Sequence, residues 1–252
     1  MTGYRHCLLN LSDQANQRIM KTATGIVFVL AALLTAGCGN RGSFDSASGT
    51  FIDSRDKQDY RWVRIGEQVW MAENLAWLPS VSAPDELTYG PNQYVYGYAG
   101  TQTTEAKAAP EYSGYGVLYS WEAACTACPR GWRLPTDEDW KALEMNLGMS
   151  RKDVDADYVW RQSGGVGKKL KAAADWDRKG NGTDSTGFAA LPGGFRNDAG
   201  GFEYLGSFGF FWTATEGGAL GAWGRSMMNT NEGVFRCGDN KRYGFSVRCI
   251  RE

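Results

Sequence analysis

Apolar and polar positions alternate through Tyr60-Arg61-Trp62-Val63-Arg64-Ile65, break at Gly66-Glu67, and resume in Gln68-Val69-Trp70-Met71. A period of two on both sides of a two-residue turn predicts a β-hairpin. The pattern is then lost. Residues 79–114 hold Pro79, Pro84, Pro91 and Pro110 together with Tyr89, Tyr94, Tyr96 and Tyr98. That composition predicts a long loop, and its four tyrosines are the candidate ligand-contacting residues. A helical period begins at Trp121, Ala124, Cys125 and Cys128, which fall at i, i+3, i+4 and i+7. Ser120 stands where an N-cap is needed, and Pro129 ends the helix. A second helix opens at Thr136, with Asp139 three residues on as a capping-box-like partner. It places Trp140, Leu143 and Leu147 on one face before Gly148 stops it. A shorter helix is predicted over residues 168–174.

From Gly187 onward the chain reads as strand and turn. Residues 188–191, 202–205, 210–214, 222–227 and 245–250 are apolar or alternating runs separated by Gly-rich or Asn-rich breaks. Helices first and an antiparallel sheet afterwards predict an α+β fold, with short helices packed on small twisted sheets. The 33 glycines, ten tryptophans and twelve tyrosines favour short strands and tight turns over a helical bundle. No internal repeat recurs at a fixed period. With 42% hydrophobic and 22% charged residues, 252 residues support one substantial core or two small ones. The net charge of −1 offers no basic stripe to neutralise phosphates, which argues against a nucleic-acid partner.

The N-terminus changes the picture most. Met20-Lys21 precedes the apolar run Ile26-Val27-Phe28-Val29-Leu30-Ala31-Ala32-Leu33-Leu34 and then Thr35-Ala36-Gly37-Cys38. A basic start, a short apolar stretch and small residues at the cut form an export signal over residues 1–37, with Met20 as a candidate true start. The last four residues resemble a bacterial lipobox, which makes Cys38 the lipidated first residue of the mature chain. The small polar run of residues 38–49 reads as a flexible tether, with the folded domain at 50–252. Removing 1–37 takes away Arg5, Arg18, Lys21 and Asp13, so the net charge becomes −3. It also takes away His6, the only histidine, and with it Ser-His-Asp and Cys-His catalysis and His-ligated zinc. The expectation is a protein that is not an enzyme.

The remaining cysteines include the pair Cys125-Thr126-Ala127-Cys128. A redox CxxC needs its first thiol at a helix N-terminus, and this pair lies at the C-terminal end of its helix. A four-Cys zinc site with Cys237 and Cys249 lacks the knuckle spacing, and an exported compartment favours oxidation. Structural disulfides are therefore expected among Cys125, Cys128, Cys237 and Cys249, with three connectivities possible. One weak calcium candidate exists at Asp177, Asn181 and Asp184. There Lys179 occupies a ligand position and Phe188 stands where an EF-hand needs Glu, so Asx turns are the better reading and no cofactor is expected. Glu216, Arg196, Arg225 and Arg248 are candidates for buried ion pairs or for ligand recognition.

The blocks FIDSRDKQDYRWVRIGEQVWMAENL, LYSWEAACTACPRGWRLPTDEDWKAL, GTDSTGFAALPGGFRNDAGGF, FWTATE, AWGRSM and YGFSVRCIRE together resemble the Fibrobacter succinogenes major paralogous domain family. The likeness runs from about Thr50 to Glu252 and implies exported proteins and lipoproteins of Bacteroidetes and relatives. WRLPTDEDWKAL and YGFSVRC are also similar to blocks of the formylglycine-generating sulfatase-modifying family. Trp121-Glu122-x-Ala124-x-x-x-Cys128 with Cys249 looks like the helix-to-last-strand bridge of C-type lectin domains. These resemblances imply a C-type lectin-like fold, a Cys128–Cys249 bridge, and Cys125 with Cys237 as an extra bridge. The lectin calcium and sugar blocks do not appear in matching form, and Cys237 with Cys249 does not reproduce the copper pair of the modifying enzymes. The reading is a lipid-anchored protein of the cell envelope, at the outer membrane, carrying a binding or adhesion domain for a glycan or envelope protein. The alternatives are a modifying enzyme related to the formylglycine-generating family and a structural component of surface assembly.

Overall fold

The computed structural model describes residues 46–252. The export segment, Cys38 and most of the tether lie outside the described residues. In chain order the elements are β1 (Ser48–Ile52), β2 (Asp59–Ile65), β3 (Gln68–Met71), β4 (Gln93–Tyr94), α1 (Thr103–Ala108), α2 (Pro110–Tyr115), β5 (Leu118–Tyr119), α3 (Trp121–Ala127) and β6 (Trp132–Arg133). They continue with α4 (Asp137–Asn146), α5 (Arg151–Val154), β7 (Trp160–Arg161), α6 (Val166–Leu170), β8 (Gly193–Arg196), β9 (Phe202–Leu205), β10 (Phe208–Gly218), β11 (Gly221–Met228), β12 (Val234–Asn240) and β13 (Ile250–Arg251). A five-stranded sheet has the order β1-β2-β3-β13-β6, a six-stranded sheet β7-β12-β11-β10-β8-β9, and β4 pairs with β5. Six short helices accompany these sheets, so the fold is α+β and dominated by sheet, with no barrel among the described residues.

The hairpin forms as its alternation demands. Val63 faces Trp70 and Ile65 faces Gln68, with Gly66 at φ 61 supplying the left-handed turn. Strand β1 includes Ser48 and Gly49, which pair with Val63 and Trp62. The long strand β10 separates two apolar clusters by its own pleat. Phe210 and Trp212 enter one with Phe245 and Phe195, while Phe211 enters the other with Trp70, Trp140 and Phe188. Trp212 stacks on Phe245 at 4.3 Å and Trp140 lies 5.1 Å from Trp70.

Helix α4 has the expected capping box, with the Thr136 hydroxyl accepting from the Asp139 amide and the Asp139 carboxylate accepting from the Thr136 amide. Its buried face carries two acids besides Trp140 and Leu143: Asp137 and Glu144, seven residues apart. Glu144 takes a two-pronged bond from Arg161 at 2.6 Å for each oxygen and a third from Arg225 Nε at 2.7 Å. Asp137 accepts from Arg225 Nη1 at 2.7 Å and from Arg236 Nη2 at 2.7 Å. Burial alone would push the Asp137 carboxyl up, but Arg236 and Arg225 outweigh it and hold the group well below the ordinary carboxylate range. Of the four residues expected in buried ion pairs, only Arg225 is in one. Arg196 and Arg248 bond mainly to carbonyls, and Glu216 is a surface partner of Lys241 at 3.1 Å.

Cys128 and Cys249 form a disulfide, joining the end of α3 to the residue before β13 across 121 positions. Closing a loop of that length stabilises by on the order of 4 kcal/mol in the chain-entropy account. The second expected bridge is corrected: Cys125 is a free, exposed thiol and is not bonded to Cys237. Helix α3 buries Ala123, Ala124 and Ala127, so its apolar stripe turns Cys125 away from the core. Although the residue is exposed by area, desolvation around its sulfur raises the thiol to about 11, with Lys241 opposing and Glu216 and Glu122 adding.

Several expected elements also differ. Residues 188–191 are not a strand, because Ala189 adopts φ 49 and the Phe188 and Ala189 carbonyls turn to Arg248. The helix expected over 168–174 is α6, which starts and ends earlier. Lys171 leaves it in extended conformation to donate to the Gly180, Met228 and Asn231 carbonyls at 2.8, 3.0 and 3.0 Å. Of residues 245–250 only the last is in a strand; Phe245 and Ser246 make isolated bridges to Tyr119 and Phe211. The 79–114 segment contains β4, α1 and α2, and strands β8 and β12 had no sequence signal.

Asp239 on β12 is 2% exposed, with Oδ1 lacking a hydrogen-bond partner and Oδ2 3.2 Å from Cys237 Sγ. Burial pushes its carboxyl up to about 8. The folded protein therefore keeps this proton between the ordinary value of 3.8 and about 8, where the unfolded chain has lost it, so the group's contribution to stability falls as pH rises through that window. Urea unfolding of Asp239→Asn against the parent chain checks this. The variant is expected to gain stability relative to the parent as pH rises from acid to mildly basic, and a pH-independent difference contradicts the assignment. In the same assay Glu144→Ala is expected to cost about 3–5 kcal/mol, because Arg161 and Arg225 lose their buried counter-charge.

Candidate functional site

The structure separates the four candidate tyrosines. Tyr94 is 1% exposed, with Arg196 Cζ 4.6 Å from its ring centroid. Tyr96 packs on Phe202 at 5.2 Å, and the Tyr98 hydroxyl donates to Glu105 at 2.8 Å. They do not form one platform, because a loop of this length buries most of its aromatic area against its own scaffold. Tyr89 alone stands out, 51% exposed, beside Leu87 at 46%.

Those two side chains sit on a backbone that Arg196, buried, and Arg242, half-buried, hold. Arg196, 1% exposed on β8, donates from Nε and Nη2 to the Pro84 carbonyl, from Nη2 to Glu86 O at 2.7 Å and from Nη1 to Arg242 O at 3.1 Å. Arg242 donates to Leu87 O at 3.1 Å, lies 5.2 Å over the Tyr89 ring and pairs with Asp198 at 3.4 Å. The Glu86 carboxylate accepts from the Thr88 hydroxyl and amide, which together hold it below its ordinary range. The carbonyls of residues 84, 86 and 87 are thus all engaged while the two apolar side chains project outward.

A second feature is a cleft of about 360 Å³ between β2, the segment after β3, α2 and residues 189–191. Arg61 and Glu73 stand on its rim, paired at 3.0 Å through Arg61 Nε, with the Arg61 amide donating to the other Glu73 oxygen at 2.8 Å. Tyr60, 1% exposed, accepts from the Ala76 amide at 3.0 Å, and Tyr112 donates to the Ala76 carbonyl at 2.9 Å. Burial pushes the Tyr60 hydroxyl far above its ordinary value, so it stays protonated. Asn74 spans floor and wall, donating to Tyr115 O at 2.9 Å and accepting from Arg248 Nε at 2.7 Å. Gly116 ends α2 at φ 76, and a Cβ there would meet Leu75 O at 2.9 Å, so this wall requires glycine. Alternation marks Arg61 as an outward residue of β2, which was legible; that it shares a cleft with Tyr112 and Tyr115, some fifty residues away, was not.

The three calcium candidates each accept a hydrogen bond, two from backbone amides five residues away and one from a hydroxyl on a distant segment. Asn181 Oδ1 accepts from the Trp176 amide at 3.0 Å, Asp184 Oδ1 from the Ala189 amide at 2.8 Å, and Asp177 Oδ2 from the Ser207 hydroxyl at 3.3 Å. Among the described residues no group of three or more His, Cys, Asp or Glu side chains is placed to hold a metal. Among them, too, no helix is long and apolar enough to cross a membrane.

No curated protein and no solved structure matches the chain. The Fibrobacter succinogenes major domain matches residues 63–251, which covers β3 through β13, the pinned loop, and the cleft except for its Gln58, Tyr60 and Arg61 edge. The chain belongs to the Fibrobacter succinogenes major domain family.

Proposed function

We propose that this is an exported, lipid-anchored protein of the cell envelope, held at the outer membrane through Cys38, whose domain is a non-catalytic binding or adhesion module of C-type lectin-like fold. The observation that carries the binding reading is the pinned loop. An exposed loop with two outward apolar side chains ordinarily costs conformational entropy on binding, and here three of its carbonyls are fixed by arginines before any partner arrives. Tyr89 offers a large, rigid, amphipathic contact surface of the kind that dominates recognition interfaces. The α+β architecture and the Cys128–Cys249 bridge from helix to last strand support the lectin-like reading of the fold. The lipobox-like Thr35-Ala36-Gly37-Cys38 supports the anchor, and the absence of histidine after residue 6 supports a non-catalytic role. The ligand of the loop is a glycan or an envelope protein.

Two measurements test the reading. Expression of the full chain with and without globomycin is expected to show a larger precursor accumulating under the drug, and Cys38→Ser is expected to give the same result without it. A glycan array and an envelope pull-down with the parent and with Leu87→Ser/Tyr89→Ser are expected to show retention by the parent and a loss of about tenfold or more in the variant. Equal retention by both, or none by either, removes the loop from recognition.

A further inference from the structure

The cleft behind Arg61 and Glu73 is built from segments that do not include the pinned loop, and it presents a different chemistry. Its two rim charges cancel. Arg61 spends Nε and its amide on Glu73, and among the described residues its Nη donors make no hydrogen bond to protein. Each Glu73 oxygen accepts one of those bonds and keeps a second lone pair. Tyr60 uses its hydroxyl as an acceptor and retains the proton; Tyr112 uses its hydroxyl as a donor and retains the lone pairs. The lining therefore combines unspent donors with unspent acceptors and carries no net charge. Ala72, Leu191 and the rings of Tyr112 and Tyr115 supply the apolar part.

That pattern selects its ligand by elimination. An anion would meet the Glu73 carboxylate and a cation the Arg61 guanidinium, each at the cost of a pair already formed. An apolar molecule would leave the Tyr60 proton and the Arg61 donors unsatisfied on burial. A hydroxyl group is neutral and both donates and accepts, and vicinal hydroxyls match the planar carboxylate and guanidinium side by side. The volume lies at the small end of the range for small-molecule sites, enough for a compact ring and not for an extended chain. We propose that the cleft between β2, the segment after β3 and α2 is a second binding site, for a neutral polyhydroxylated ring compound such as one saccharide unit. The site is preorganised, since Arg248, Asn74 and Tyr115 O form a continuous hydrogen-bonded line from core to wall.

The test is saturation-transfer NMR and calorimetry on the full chain with methyl glucoside, methyl galactoside and methyl mannoside as neutral probes, and glucuronate and glucosamine as charged ones. At least one neutral probe is expected to bind at about millimolar strength and more tightly than either charged one. Glu73→Gln and Arg61→Met, both at the accessible rim, are expected to weaken that binding by about tenfold each, while Leu87→Ser/Tyr89→Ser leaves it unchanged. No binding of any neutral probe at about ten times that concentration overturns the proposal. So does preferred binding of a charged probe, or binding that is lost with the loop residues and kept in both rim variants. Because the loop's own partner is read by array and pull-down, failure of one site leaves the other's result intact.

Discussion

Two carboxylates on the inner face of α4 fix the arrangement of the molecule. Asp137 and Glu144 lie two turns apart and are buried with side-chain exposures of 5% and 0%. Such charges are tolerated only when fully paired. Their partners come from three adjacent strands: Arg161 on β7, Arg225 on β11 and Arg236 on β12. Apolar packing between helix and sheet is non-directional and would allow the helix to slide or rotate. The bidentate Arg161–Glu144 pair and the shared Arg225 permit one position. That position carries Trp140, on the same face of the helix, into contact with Trp70, Phe188 and Phe211, so the second apolar cluster inherits its geometry from the charges.

Three other buried cations bond to backbone instead of to acids. Arg196, Arg248 and Lys171 each donate to three backbone carbonyls, most of them in segments outside the regular elements and two, those of Met71 and Met228, at strand ends. A chain in which eight of the described strands have only two to four residues leaves many backbone acceptors without a ladder partner, and buried ones must be satisfied. A long cationic side chain satisfies several at once and ties distant segments together. Arg196 joins β8 to residues 84–86, and Arg248 joins the β13 end of the chain to residues 71–74 and 188–189.

What the sequence made legible was local. The hairpin around Gly66, the Ser120 cap and the Thr136–Asp139 box each depend on residues within a few positions of one another, and each appears where the pattern placed it. Strand β8 was hidden because its Gly193-Gly194-Phe195-Arg196 has no alternation and is buried throughout; β12 was hidden because Arg236 and Asp239 are buried polar residues that break an apolar reading. Residues 188–191 looked like a strand by composition, yet tertiary bonds to Arg248 draw their carbonyls out of any ladder. Cys125 satisfied the helical period but lay at the edge of the stripe that alanines fill. The Cys128–Cys249 bridge came from family resemblance and not from spacing, which left three pairings open.

The same device that orders the fold also shapes both candidate surfaces. Under the loop, Arg196 is buried against Tyr94 and reaches outward to hold residues 84 and 86, so the backbone beneath Leu87 and Tyr89 is set by a cation in the core. Under the cleft, Arg248 is fully buried and orients Asn74, whose amide then fixes Tyr115 and with it the wall that α2 supplies. In each case the buried guanidinium is spent entirely on structure, and the groups left at the surface are the half of Tyr89 not covered by the fold in one, and the Arg61 donors and Glu73 lone pairs in the other. Rigid recognition elements on a loop-rich scaffold require such support from beneath, because side chains on unsupported loops lose on ordering what they gain in contact. The buried arginines therefore belong to the two candidate surfaces as much as to the core, although Arg248 does not line the cleft and Arg196 lies beneath the loop.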